Sequence, residues 1–209
     1  EGKKLGAPPP DAAFGQWPVF VEVADIDTSN ITIENVGFPV REPMLAQGAV
    51  DAIFGFAFSS VLNLKAQGIP EDDIVTILMA DHGLDLYGNA IMVNEDFAAA
   101  NPDAVKGFLK ALAKGFADAV SDPAAGVDAV MSRNEILTKE IEIERLEMAN
   151  SMNINTPWVA ENGFGGIDEE KLAKSIELLK VSMGLKGNVR AADVFDASYL
   201  PPKEERMLP

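Results

Sequence analysis

The sequence predicts an α/β fold with parallel strands. Three observations carry this: strand-like and helix-like runs alternate through residues 3–97, glycine closes two of the helix-like runs, and only helical periodicity follows. "KKLGA" (3–7) reads as the first strand, ended by the three prolines at 8–10. Asp11 then stands at the N-cap position of a helix over 11–24. "ITIENVGF" (31–38) and "VDAIFGFAF" (50–58) follow as strands rich in β-branched and aromatic residues. Helices over 40–47 and 59–67 come after them, closed by "QGA" and "QGI". "IVTILMA" (74–80) and "NAIMVN" (89–94) are the last two strand-like runs.

Beyond them, "NPDAVKGFLKALAKGFADAV" (101–120) sets Val105, Phe108, Leu109, Leu112 and Phe116 on one helical face, with Asn101 as cap and Pro102 as first residue. Helices over 122–134, 138–152 and 168–183 continue the pattern, with 153–166 read as a loop and the tail ending in prolines and charge. The expected organisation is therefore an α/β part over 1–97 and a helical part over 98–209.

Charge and composition narrow the function. Thirty-three acidic against 17 basic residues give a formal charge of -16, which repels nucleic-acid phosphates and anionic membrane surfaces. No apolar run approaches the roughly 20 residues needed to span a bilayer. The chain has no cysteine and one histidine, His82, so thiolate chemistry is absent and a histidine-based triad or metal site is hard to assemble. No catalytic residue, metal ligand or cofactor is assigned on these grounds.

In an open parallel sheet, ligands sit beyond the carboxyl ends of the strands. Those ends are "PPPDAA", "GFPVRE" and "FAFSS", with "DHGLDLYGN" as a further wall. Asp11 serves as a helix cap, and its carboxylate can also accept hydrogen bonds from a bound amine. Arg41 is a candidate clamp for a carboxylate, set against a surface salt bridge with Glu42 or Asp11. Phe54, Phe56 and Phe58 alternate on one predicted strand; Phe54 reads as core, whereas Phe56 and Phe58 lie nearer the strand's end, where a ring can stack on a flat ligand. Tyr87, Gly88 and Asn89 form a turn whose Tyr and Asn can reach a ligand. His82 beside Asp81 reads as a solvated imidazole, and "NGFGG" (162–166), which follows no strand, as a turn between helices.

The succession "GKKLGAPPPDAAFGQWPVFVEVADID", "LAQGAVDAIFGFAFSSVLNLKAQGI", "DLYGNAIMVNEDFAAANPDAVKGFLKAL" and "ADVFDASYLPP" resembles the solute-binding proteins of bacterial ABC importers, in the family related to thiamine-pyrimidine synthesis proteins and to nitrate, taurine and sulfonate binders. The resemblance implies a type II periplasmic-binding fold: residues 1–97 a near-complete second lobe, and 98–209 a helical part returning to the first. It implies no cofactor, a periplasmic location, a small-molecule ligand and an ABC permease as partners. It also implies that Glu1 lies inside the family's mature chain, so that a missing N-terminal segment, on the order of 100 residues, or a second copy of the chain covers the apolar helix faces. Carried over by position, the ligand contacts are Pro10, Asp11 and Ala12, then Gly55, Phe56 and Phe58, then Tyr87 and Asn89. The family's anion binders offer small hydroxyl residues in the first loop. "PPPD" departs from that, which directs the expectation toward a pyrimidine-like or other amino-bearing heterocycle.

Two rivals share the resemblance. A thiamine-pyrimidine synthesis enzyme needs iron ligands and reactive histidine and cysteine, which one histidine and no cysteine do not supply. The ligand-sensing domain of a transcription regulator shares the fold and differs by a DNA-binding helix-turn-helix.

Overall fold

The computed structural model describes residues 2–134 and 136–209, with Val181 and Ser182 described by their backbone alone. The chain divides into two compact units, one of residues 1–86 and 173–188 and the other of residues 87–172 and 189–209. The predicted α/β class with a parallel sheet is what the chain adopts.

The first unit is built on a three-stranded parallel sheet in the order β2-β1-β3. β1 (Lys4–Ala7) is central, pairing with β2 (Thr32–Asn35) and with β3 (Ala52–Ile53). Asp51 fastens one edge: its backbone N–H bonds the Lys4 carbonyl at 2.8 Å, and its carboxylate accepts from the Lys4 backbone N–H at 2.8 Å. Gly6 is required at the centre, because a Cβ there would lie 3.3 Å from the methyl groups of both Ile53 and Val50. Gly6→Val is expected to destabilise by about 1–3 kcal/mol through overpacking, read as a lower urea midpoint at unchanged slope.

The helix predicted over 11–24 is two helices, α1 (Ala12–Gly15) and α2 (Trp17–Val23), because Pro18 enters at the start of a new turn after Gln16. α3 (Phe38–Ala46) begins two residues earlier than expected, with Pro39 in its first turn, and α4 (Ala57–Ala66) follows β3. Val19, Phe20 and Leu84 form one buried cluster, joined by Trp17, Met79, Leu178 and Leu179.

Four expected strands are shorter or absent. β2 spans four residues, since Phe38 already opens α3. The run over 50–58 keeps only Ala52–Ile53 as strand: Phe56 occupies the N-cap position of α4, with φ -80° and ψ 132°, and Phe58 lies in that helix's first turn. Phe54, Phe56 and Phe58 therefore do not alternate on a strand. Phe54 turns inward against Phe14 and Trp17, at ring-centre distances of 5.2 and 5.3 Å. The runs over 74–80 and 89–94 pair with no strand among the described residues. Val75 and Met92 are 85% and 91% exposed, so β propensity is not realised where no neighbouring strand supplies cross-strand contacts.

The second unit is helical. α5 (Glu95–Ala100) is capped by Asn94, whose side chain accepts from the Phe97 N–H. α6 (Pro102–Ser121) begins at Pro102 as predicted, but the Asn101 side chain donates back to the Phe97 carbonyl instead of capping α6. Val105 and Ala113 are buried on α6, whereas Phe108 is 55% exposed at the margin of the stripe. α7 (Pro123–Met131) is capped by Asp122, and Gly126 lets it approach Ala119 and Leu146. α8 (Lys139–Ala149) runs into a π-helical turn, Asn150–Ile154. The segment expected as a loop holds a short helix, α9 (Pro157–Asn162), because Thr156 caps it and Pro157 fits its first position. Residues 173–183 of α10 (Glu169–Met183) belong to the first unit, whereas α11 (Ala191–Val194) is the last α-helix of the second.

Candidate functional site

Because β1, β2 and β3 are parallel, their carboxyl ends share one edge of the sheet, and the segments leaving that edge carry most of the predicted site residues. After β1, the Asp11 N–H bonds the Pro8 carbonyl at 2.9 Å, closing a tight turn that leaves Pro10 and Ala12 exposed. Asp11 is buried and uses both carboxylate oxygens: Oδ1 accepts from the Ala13 N–H at 2.8 Å, and Oδ2 accepts from Arg41 Nη1 at 2.7 Å. The N-cap role and the ion pair thus coexist.

Arg41, on α3, is also buried. Its Nε and Nη2 donate to Glu42 Oε1 at 3.0 and 2.6 Å, and Nη2 reaches Ser60 Oγ at 3.2 Å. The Ser60 hydroxyl in turn donates to Glu42 Oε1 at 2.9 Å. Asp11 from the first loop, Arg41 and Glu42 from α3 and Ser60 from α4 form one connected network with two carboxylates and one guanidinium. Burial pushes the Glu42 carboxyl up, but the Arg41 hydrogen bond, the backbone N–H of Glu42 and the Ser60 hydroxyl outweigh it and hold the group below its ordinary 4.5. Gly55 is what makes room: a Cβ there would stand 2.3 Å from Ser60 Oγ and 3.1 Å from Arg41 Cζ. The Arg41 guanidinium is engaged by acceptors of its own chain, an arrangement that ties the three strand ends together.

Aromatic rings lie on the same segments, at the starts of α3 and α4. Phe56 is 43% exposed and stacks on Phe58 with ring centres 5.3 Å apart and planes 16° from parallel. Phe38 is 48% exposed, with Arg41 Cζ 5.7 Å from its ring centre. Phe38 is not among the residues singled out in the sequence: it lies within the "GFPVRE" strand end, assigned to the strand over 31–38, whereas α3 begins at Phe38 itself.

Tyr87 and Asn89 belong to the second unit. The Tyr87 hydroxyl accepts from the Asp168 N–H at 2.7 Å, and Lys171 Nζ lies 4.8 Å from its ring centre. Asn89 is exposed. His82 sits edge-on to Phe20, at 6.3 Å between ring centres. Among the described residues, no group of three or more histidine, aspartate or glutamate side chains is placed to hold a metal ion, and no helix is long and apolar enough to cross a membrane.

The NMT1/THI5-like family model matches residues 1–126, which include the sheet, the network and the aromatic edge. The chain belongs to the NMT1/THI5-like family. This NMT1/THI5-like chain is similar to the riboflavin-binding protein RibY of Chloroflexus aurantiacus, with 23% identity over 175 residues. The alignment covers 83% of the present chain and 48% of that protein, so the chain spans about half the length of the curated relative it matches. The family expected from the four quoted sequence segments is thereby established.

Proposed function

We propose that this chain supplies ligand-contacting surface to the solute-binding component of an ABC importer, taking a flat, neutral or amino-bearing heterocycle and releasing it to a permease outside the cytoplasm. The observation that carries the reading is the Phe56–Phe58 stack at the carboxyl edge of the sheet, an exposed ring braced by a parallel one. A π-face held in this way favours planar ligands over acyclic ones. Family membership and a relative named for riboflavin binding support solute capture and a ring-shaped cargo. The two buried carboxylates against one guanidinium leave an excess negative charge behind the edge, which disfavours nitrate or sulfonate and favours amino groups. The chemistry is reversible binding, with the ionisable groups Asp11, Arg41 and Glu42 behind the edge bonded to one another. Delivery follows from domain closure, since a ligand bound across both lobes of such a protein stabilises the closed form that a permease reads.

Riboflavin fluorescence provides the test. Titration with the chain is expected to quench it by stacking, taurine is expected not to compete, and an aminopyrimidine is expected to compete. Phe56→Ala is expected to weaken binding about fivefold or more, the lower range for loss of one ring stacked on a planar base. Unchanged affinity in Phe56→Ala, or displacement by taurine, contradicts the proposal.

A further inference from the structure

The "NGFGG" turn has a role that the sheet edge does not explain. Gly163 and Gly165 both adopt left-handed φ, +81° and +80°, which turns the chain sharply after α9. Phe164 between them packs against Phe116 of α6, at 4.4 Å between ring centres with the planes tilted by 34°. The turn's carbonyls, not its amides, are engaged by charge: Arg206 Nη1 donates to Gly163 O and Phe164 O, both at 2.9 Å, while its Nε donates to Pro201 O at 3.2 Å. The guanidinium is fixed by three neutral acceptors.

Beside it lies a cavity of about 430 Å³ within the second unit, in the size range of small-molecule sites. Trp158, Ile167, Phe195 and Leu200 give it apolar walls, and Lys203 and Arg206 are two of its three charged residues, with Glu169 the third. Gly166 keeps the floor open, since a Cβ there would lie 3.0 Å from the Trp158 ring and 3.2 Å from Arg206 Nη1. Among the described residues neither Lys203 nor Arg206 forms an ion pair, although the chain carries 33 acidic residues against 17 basic ones. Glu205, close in sequence to both, pairs instead with Lys110 at 2.6 Å. Two cations without a carboxylate, one of them immobilised, face a cavity with an indole wall in a strongly anionic protein.

We infer that the second unit carries a binding site for a small planar carboxylate, its anionic group on Arg206 and Lys203 and its ring against Trp158. Arg206 keeps Nη2 for the anion while the turn holds Nη1 and the Pro201 carbonyl holds Nε, so the donor is oriented before binding. The inference does not rest on the proposed transport role, because none of its residues lies on the sheet edge.

2-Naphthoate and its uncharged counterpart 2-naphthamide test it by calorimetric titration of the full chain. The expected result is that naphthoate binds, that naphthamide binds at least about tenfold more weakly, and that added salt weakens naphthoate alone. Arg206→Gln is expected to cost naphthoate affinity about tenfold or more while leaving naphthamide unaffected. Should that variant fail to fold, Lys203→Gln gives the same selective loss in smaller measure. Ala191→Phe, which puts a ring into the cavity from one of its lining residues, is expected to abolish binding of both while riboflavin quenching persists. Equal binding of the two probes, binding of neither, or undiminished naphthoate binding in Ala191→Phe overturns the inference.

Discussion

Replacing Arg41 by leucine is expected to destabilise the chain by about 3–5 kcal/mol, the cost of removing one partner from a buried ionic network. The side chains of Arg41, Asp11 and Glu42 are only 7%, 5% and 4% exposed, so the carboxylates left behind have little access to water. Asp11 keeps one N–H donor, and Glu42 keeps the Ser60 hydroxyl and its own backbone N–H, which is too little to solvate two buried anions. Urea unfolding in a Trp158→Phe background, with Trp17 as reporter, measures the loss. The same network sets an acid limit. The Glu42 carboxyl is held below 4.5 in the folded chain, so unfolding takes up protons as the pH falls. The stability it contributes is complete above that value and is lost as the pH falls through the lower folded-state pKa. Glu42→Gln is therefore expected to be less stable than the wild type at neutral pH, with the gap narrowing in acid. A gap independent of pH contradicts the network as drawn.

Gly55→Ala is expected to cost about 1–3 kcal/mol, a large effect for one methyl group, because that methyl would stand 2.3 Å from Ser60 Oγ and must drive the hydroxyl away. Ser60 then abandons Glu42, and the turn that presents Phe56 shifts with it. In a Ser60→Ala background the obstructing oxygen is gone, so Gly55→Ala is expected to cost measurably less there than alone. That coupling, read by a double-mutant cycle, separates a specific close approach from general strain in the loop. Additive costs would show that Gly55 and Ser60 act independently.

How far the sequence revealed this depended on whether the determining contacts were local. Asp11 as a cap, Pro102 as a helix start and the glycines that close α3 and α4 act within a turn of chain, and each is legible. The end of β3 is not local. "VDAIFGFAF" has the composition of a nine-residue strand, but Phe54 is drawn inward by Phe14 and Trp17, and α4 begins at Ala57. The runs over 74–80 and 89–94 show the converse, with strand composition and no strand beside them among the described residues. Arg41 was legible in part. Its two candidate partners, Glu42 and Asp11, are both engaged, yet the pairing was expected at the surface. Burial depends on Asp11 arriving from 30 residues away and on the space Gly55 leaves, neither of which composition reveals. The cations of the second unit escaped for a similar reason: Lys203 and Arg206 read as part of a charged tail, and only the fold brings them to Trp158.

The central claim is that the aromatic edge of the sheet receives a planar ligand. The most direct test is NMR of the chain carrying ¹³C-labelled phenylalanine, titrated with riboflavin. The chain has 11 phenylalanines, and Phe97 and Phe108 of the second unit, 51% and 55% exposed, are internal controls. Saturable upfield shifts confined to Phe56, Phe58 and Phe38 are the predicted result. No saturable shift, or shifts as large at Phe97 and Phe108, would contradict it.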